Sequence, residues 1–155
     1  MSVGADARAR LAALGLTLPP VAAPVASYVP AVRIGDTVQT SGQLPTVGGE
    51  LVHTGRVGAE VTVEQGAEAA RVAILNALAA VDALIGLEGI GQVAKVTGFV
   101  ASAPGFHGQP AVINGASDLL GELFGEAGRH ARSAVGVPDL PVNAPVEIEL
   151  LVTVA

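Results

Sequence analysis

The C-terminal part of this chain places permanent charges inside two runs of strand-forming residues. Arg132 opens a β-branched run, and Glu147 lies fifteen residues later inside a second apolar run. Alternation along a strand puts Arg132, Ala134 and Gly136 on one face, so two small neighbours leave open space beside the guanidinium. Only 14% of the residues are charged. A guanidinium that binds a small carboxylate would explain a charge placed inside such a strand.

The second run alternates as well. One face carries Glu147, Glu149, Leu151 and Thr153, and the other face carries Val146, Ile148, Leu150 and Val152. If the last two strands formed a simple hairpin, Glu147 would lie about four residues from the position opposite Arg132, or roughly 13 Å. The two residues of one chain therefore need not meet, although a site between subunits could bring copies of them together.

Composition limits the class of protein. The 155 residues fit one domain with one core, and 50% of them are hydrophobic. That content exceeds what a small monomer usually needs, so we expect an oligomer. The net charge of −6 and the few aromatic residues disfavour nucleic acid binding. Without cysteine the chain has no disulfide, thiol nucleophile or thiolate metal site.

No segment has the apolar core of a signal peptide or the length of a membrane span. Together with the absence of cysteine, this leads us to expect a cytoplasmic protein. The three histidines, His53, His107 and His130, have no metal-binding spacing, so we interpret them as surface residues and expect no metal.

Periodicity and turn residues predict the elements in order. They are a helix over 6–14, strands over 25–34 and 37–43, a short strand over 50–53, a helix over 63–86, a strand over 92–102, a helix over 111–124, and strands over 132–137 and 146–154. Thr62 and Gln65 have the spacing of a capping box. This order predicts an α+β fold in which two helices pack on one face of a mixed sheet. Residues 1–20 would form an N-terminal arm with a short helix, and residues 21–155 a single domain.

Three blocks in this order resemble the RidA/YjgF family, also known as the L-PSP endoribonuclease-like family. They are SYVPAVRIGDTVQTSGQLP at 27–45, VAKVTGFV at 93–100, and ARSAVGV…LP…VEIE at 131–149. The resemblance runs from about residue 24 to residue 154. It implies a chorismate-mutase-like sandwich, a homotrimer and ligand clefts between subunits. Active members hydrolyse reactive enamines and imines, such as 2-aminoacrylate and 2-iminobutanoate, to 2-keto acids and ammonia.

Position by position, the resemblance implies roles for single residues. Arg132 would grip the substrate carboxylate, and Glu147 would hold or activate water. The cleft would be lined by Tyr28, Ser41, Gly42, Asn114 and Ala134, the last at a position that is often cysteine in the family. The N-terminal arm and the loop at 103–110 depart from the short members and indicate a divergent, longer branch. The implied chemistry needs no cofactor. The expected ligand is a small 2-imino acid or the 2-keto acid that forms from it.

Other interpretations remain open from the sequence. Arg132 could be a structural ion-pair residue, and Glu147 could pair with Arg132 or Arg33 at a subunit interface. The chain could also be a binding module that senses small carboxylates without turnover. An endoribonuclease would need a basic surface that this acidic chain does not suggest.

Overall fold

The computed structural model describes residues 2–24 and 26–155. These residues form an α+β fold with a mixed sheet and three α-helices. The elements are α1 (Val3–Ala13), β1 (Ala31–Ile34), β2 (Thr37–Thr40), β3 (Thr46–Val47), β4 (Glu50–Leu51), α2 (Val63–Ile85), β5 (Ile90–Ala101), α3 (Gln109–Phe124), β6 (Ala131–Val137) and β7 (Val146–Val154), with 3-10 turns at Leu87–Gly89, Gly125–Gly128 and Pro141–Asn143.

The main sheet has five strands in the order β1-β2-β7-β5-β6. Only β5 and β6 run parallel, because the chain crosses over between them through α3. β7 occupies the centre of the sheet, and β5 lies inside it between β7 and β6. The hairpin considered for the last two strands is wrong, since β5 lies between β6 and β7.

One face of this sheet packs against the helices and forms the core. Along β7, Val146, Ile148, Leu150 and Val152 are fully buried, and the residues between them are partly exposed. The predicted alternation of this strand is therefore confirmed. On α2, the Thr62 hydroxyl accepts from the Gln65 backbone and the Gln65 side chain accepts from the Thr62 backbone, which confirms the capping box.

The first strand is shorter than predicted. It begins at Ala31, and Val25, where the prediction began, lies outside the described residues. Tyr28 consequently lies in a bend before Pro30, not on a strand. Because proline has no N–H to donate, Pro30 cannot extend the ladder on its donor side. Its carbonyl instead accepts from the Ser41 N–H at 2.8 Å.

The short strand predicted over 50–53 is also corrected. It is half of a separate hairpin, in which β3 pairs with β4. The turn between them contains Gly48 and Gly49, with φ of +61° and +86°. Glycine adopts such left-handed angles without the strain of a β-carbon, and this turn allows two very short strands to pair.

The helix predicted over 6–14 is confirmed as α1, which begins at Val3 and ends at Ala13. α1 packs against α3, with Ala7 and Leu11 buried in the common core. Gly4 allows this close approach, because a β-carbon there would overlap the backbone at Leu87. Only Gly4, Ala7 and Leu11 of α1 are buried, so the sequence predicted the helix but not its packing against the core. Where the arm ends and the domain begins stays a prediction.

No helix in the described part of the chain is long and apolar enough to cross a membrane.

Candidate functional site

Arg132 lies near the start of the edge strand β6, and its side chain is directed toward α3. Its Nη1 donates to the Asn114 Oδ1 at 2.8 Å and to the Ser117 Oγ at 3.3 Å. Its Nη2 donates to the Pro110 carbonyl at 3.4 Å. A guanidinium has five N–H donors, so two remain without a partner among the described residues. None of the described carboxylates pairs with Arg132.

A histidine and a serine support this arginine. His130 Nδ1 lies 2.6 Å from the Gly128 carbonyl, and His130 Nε2 lies 2.9 Å from Ser117 Oγ. Because a carbonyl only accepts, Nδ1 carries a hydrogen; in the neutral ring, Nε2 then accepts the Ser117 hydroxyl hydrogen. The Ser117 oxygen lone pairs thereby remain available for Arg132. We call Asn114, Ser117, His130 and Arg132 the arginine group.

The three histidines were interpreted as surface residues. His107 is exposed, whereas His53 and His130 are half-buried, so the interpretation holds fully for His107 alone. Sequence reasoning missed both His130 and Ser117. The signal was present, since Ser117 lies three residues after Asn114 on one helix face, and His130 lies two residues before Arg132 on one strand face. A shallow depression of about 350 Å³ borders Ser117, His130 and Arg132. This volume has room for a carboxylate the size of acetate.

Glu147 lies on the sheet face that the helices leave uncovered. Its carboxylate is packed over Gly42, so closely that a β-carbon at residue 42 would overlap it. Burial raises the pKa of Glu147, and the nearby Glu149 carboxylate raises it further. No described residue forms an ion pair or hydrogen bond with the Glu147 carboxylate. Within the chain, Arg33 instead donates to the Gly35 carbonyl.

The segment after β2 brings two more of the predicted residues to Glu147. Gln43 pairs with Ile148 through two backbone hydrogen bonds of 2.8 and 3.0 Å, which holds Gly42 against β7. The Ser41 hydroxyl donates to the Val29 carbonyl at 2.6 Å and so fixes the bend that carries Tyr28. We call Tyr28, Ser41, Gly42 and Glu147 the glutamate group.

The two groups lie apart in one chain. Arg132 is in register with Val96, and Glu147 is in register with Phe99. The α-carbons of Arg132 and Glu147 are thus two strand spacings and three residues apart, about 14 Å in a straight line across the sheet. Val96 is buried under the helices, and Phe99 lies on the opposite face. Arg132 and Glu147 are therefore on opposite faces of the sheet, and Ala134 lies with Arg132, packed against the core.

The described residues contain no group of three or more histidine, aspartate or glutamate side chains positioned to hold a metal ion. The chemistry of both groups is that of an anion-binding guanidinium and an unpaired carboxylate.

Comparison with known proteins gives a consistent relationship. A family model described as "YjgF/chorismate_mutase-like, putative endoribonuclease" matches residues 8–154. Protein TCP17 of Trypanosoma cruzi is 47% identical over 98% of each chain. The 2-iminobutanoate/2-iminopropanoate deaminase of Dermatophagoides farinae is 35% identical and covers 84% of this chain and 88% of its own.

Solved structures separate into two levels of similarity. Atu1372 of Agrobacterium tumefaciens, a protein of unknown function, is 44% identical with a TM-score of 0.89, covering 98% of this chain and 94% of its own. The YjgF gene product of E. coli is 28% identical with a TM-score of 0.61, covering 88% of this chain and 93% of its own. The higher similarity of Atu1372 extends over nearly the full chain, as expected for a longer branch.

Proposed function

Because this chain belongs to the YjgF/chorismate mutase-like family, we propose that it hydrolyses small 2-imino acids and their enamine forms to 2-keto acids and ammonia. The observation that carries the proposal is the Glu147 carboxylate, which is half-buried, unpaired among the described residues and raised in pKa. Such a group lowers the stability of the fold, and carboxylates with a pKa perturbed by burial are found most often at functional sites. The deaminase named above supplies the reaction class.

Arg132 would bind the substrate carboxylate. Its contacts to Asn114, Ser117 and Pro110 fix the guanidinium plane and leave two N–H donors for a ligand. Two parallel donors match the two oxygens of a carboxylate and orient it. This arrangement positions the imine carbon with respect to water, which is the main requirement of a hydrolysis that needs no covalent intermediate.

Glu147 would then act on water. Its carboxylate takes a proton from water as the oxygen adds to C2 of the protonated imine, and the C=N electron pair moves to nitrogen. The protonated Glu147 returns this proton to the nitrogen of the resulting carbinolamine. The C–N bond then breaks with its electron pair leaving on ammonia, and the hydroxyl proton passes to the Glu147 carboxylate as the 2-keto acid forms. Glu147 gives this proton to the departing ammonia, which leaves as ammonium, and is a carboxylate again. A carboxyl with a raised pKa is better matched to this exchange near neutral pH.

A whole site would need two copies of the chain, because the arginine group and the glutamate group lie on opposite sheet faces. We propose a homotrimer in which the uncovered sheet faces meet. Support comes from apolar side chains exposed on that face, where Val32, Ile34 and Val135 are 43%, 66% and 44% exposed. Arg132 lies on the edge strand β6, so a neighbouring copy seated at that edge would bring its Glu147 toward Arg132.

Mixed subunits test this arrangement. Arg132→Ala and Glu147→Gln each remove one half of the site. Refolding the two variants together at equal amounts should restore about a quarter of the wild-type activity, because three quarters of random trimers are mixed and each then has one intact site in three. Size-exclusion chromatography with light scattering checks the trimer. Activity that stays at the level of the separate variants would contradict a shared site.

The same assay separates other functions. Imino acids are generated by an amino acid oxidase and trapped with semicarbazide, and the enzyme should lower the trapped fraction and release ammonia. Binding of 2-keto acids without ammonia release would indicate a ligand-binding protein. Cleavage of RNA that is lost on changing Glu147 would indicate a ribonuclease. Four of the eight basic residues, Arg8, Arg56, Arg71 and Arg129, are paired with acids, which weakens any basic surface.

A further inference from the structure

The segment that joins α1 to the bend at Tyr28 covers a second cavity, next to the glutamate group. This arm cavity has a volume of about 450 Å³ and lies between residues 19–24, the bend at Tyr28, Gly42 and the β3–β4 turn. We propose that it binds the side chain of the imino acid, and that the preferred substrates carry an aromatic ring ending in an O–H or N–H donor. This inference rests on the proposed function and names its substrate class.

A buried amide at the cavity carries the inference. Asn76, on α2, is only 2% exposed and lines the cavity. Its Nδ2 donates to the Leu44 carbonyl at 2.9 Å and to the Thr46 carbonyl at 3.0 Å. Both N–H groups are used and both partners can only accept, so the amide orientation is fixed and Oδ1 is the remaining atom.

The Asn76 Oδ1 has no hydrogen-bond donor among the described residues. Every fully enclosed side-chain nitrogen or oxygen in the described part of the chain does have a partner. The Oδ1 must therefore reach open space, and the cavity is the space that Asn76 borders. A buried acceptor left without a donor lowers stability, so this position is suited to a ligand O–H or N–H.

The walls indicate what surrounds that donor. Proline side chains at 19, 20, 24 and 30 line the cavity together with Val21 and Ala22. These rigid apolar surfaces favour a flat apolar group and offer it no charge partner. A substrate with only a methyl or ethyl side chain would leave most of the volume unfilled. An aromatic ring fills more of it and can carry a donor to the Asn76 oxygen.

The cavity is placed to receive a side chain from the proposed catalytic position. Gly42 and Tyr28 belong both to the glutamate group and to the cavity lining. A substrate whose C2 lies near Glu147 could therefore extend its side chain past Gly42 toward Asn76. Pro19 and Pro20 of this lining lie in the N-terminal arm, which departs from the short family members.

A matched pair of substrates tests the Asn76 contact. We expect the imine derived from tyrosine to be hydrolysed with a kcat/KM about fivefold above that of the phenylalanine imine, the usual worth of one hydrogen bond. Both should exceed the alanine imine by on the order of tenfold, because ring burial stabilises the complex. Rates without protein are subtracted. Calorimetry with 4-hydroxyphenylpyruvate and phenylpyruvate measures the same preference without turnover.

A variant that fills the cavity tests its location. Ala22→Phe should lower the ratio of tyrosine-imine to alanine-imine kcat/KM at least tenfold and should weaken 4-hydroxyphenylpyruvate binding. Ala12→Phe, on the exposed face of α1, is the matched control and should leave both unchanged.

The outcomes separate this inference from the proposed function. If the alanine imine is hydrolysed but tyrosine and phenylalanine compounds behave alike, or if Ala22→Phe leaves the ratio unaltered, the inference is wrong and the deaminase stands. If no imine is hydrolysed, yet 4-hydroxyphenylpyruvate binds more tightly than phenylpyruvate and loses affinity in Ala22→Phe, the cavity assignment holds and the deaminase proposal fails.

Discussion

The carboxylate of Glu147 packs on the α-carbon of Gly42, with no space for a β-carbon between them. The backbone of Gly42 does not have a positive φ. Glycine is therefore required at this position by the close approach of a side chain, and not by backbone conformation. The contact holds the carboxylate between β7 and the segment after β2, where burial raises its pKa.

Gly42→Ala should displace the Glu147 carboxylate. Overpacking in a well-packed core lowers the free energy of unfolding by about 1–3 kcal/mol. Because the overlap here is with a side chain that can move aside, the loss should lie at the low end of that range, and kcat/KM for imine hydrolysis should fall. Urea denaturation measures the first effect. The same substitution in a Glu147→Ala background is the control, since the loss of stability should largely disappear there. An equal loss in both backgrounds would show that the contact is not its cause.

Glu147→Gln should raise thermal stability at neutral pH. The pKa of this carboxyl is raised above its ordinary value near 4.5, so the folded protein binds the proton more tightly than the unfolded chain. Stability then falls as the pH rises from the ordinary pKa through the folded-state pKa. The gain in Tm of Glu147→Gln over wild type should be larger at pH 8 than at pH 4. A gain that is independent of pH would contradict an unpaired carboxylate.

The Glu147 carboxyl should determine how kcat/KM falls at low pH, the acid limb of the pH–rate profile. Glu147→Gln is expected to lower kcat/KM by about 10²–10⁴-fold, the usual contribution of a general base. Glu149→Gln should retain activity and move the acid limb to lower pH, because the neighbouring negative charge contributes to the raised pKa of Glu147. Rate profiles from pH 4 to 9 measure both. An unmoved limb in Glu149→Gln would exclude this coupling.

Arg132→Ala should lower kcat/KM at least tenfold, because the substrate carboxylate loses its guanidinium partner. A tenfold loss corresponds to about one charge-assisted hydrogen bond. Arg132→Lys keeps the charge but loses the fork and should recover only part of the activity. Arg71→Ala removes an exposed arginine paired with Glu122 and is the control for lost charge. Steady-state kinetics compare the variants, each checked for the same oligomeric state as the wild type. Wild-type turnover in Arg132→Ala would refute the assignment.

Leu11→Ala should destabilise the fold by about 2–4 kcal/mol, because it leaves a cavity where α1 enters the common core. Leu11 is 4% exposed, whereas Leu14 of the same segment is 42% exposed. Leu14→Ala is therefore the matched control and should change stability by less than about 0.5 kcal/mol. Chemical denaturation measures both. Equal effects would indicate that α1 does not contribute to the core in solution.

Local patterns were sufficient for much of the fold. The alternation of β7 and the capping box at Thr62 and Gln65 depend on neighbouring residues, and both are present as predicted. The neighbours of each strand were not predictable in the same way. Alternation determines which residues share a face, but it contains no information on which strand lies beside which, so the position of β5 between β6 and β7 was missed.

The candidate site was predicted unevenly for the same reason. The charge pattern of the sequence singled out Arg132, the family resemblance added Asn114, and the structure places the two in contact at 2.8 Å. Ser117 and His130 were overlooked because each is an ordinary polar residue until α3 and β6 pack together. Tyr28 was assigned to a strand although prolines flank its segment, and proline is a poor strand residue away from edges. The catalytic roles themselves stay predictions.

The placement of the two groups on opposite sheet faces has a consequence for how such a protein would behave in dilute solution. An isolated chain would carry both the arginine group and the glutamate group but would have no complete site. Specific activity would then decline on dilution toward the dissociation constant of the assembly, and recover on concentration. Near that concentration, total activity would rise more steeply than in proportion to the protein concentration. The cellular concentration of the chain would then determine whether the reaction is catalysed.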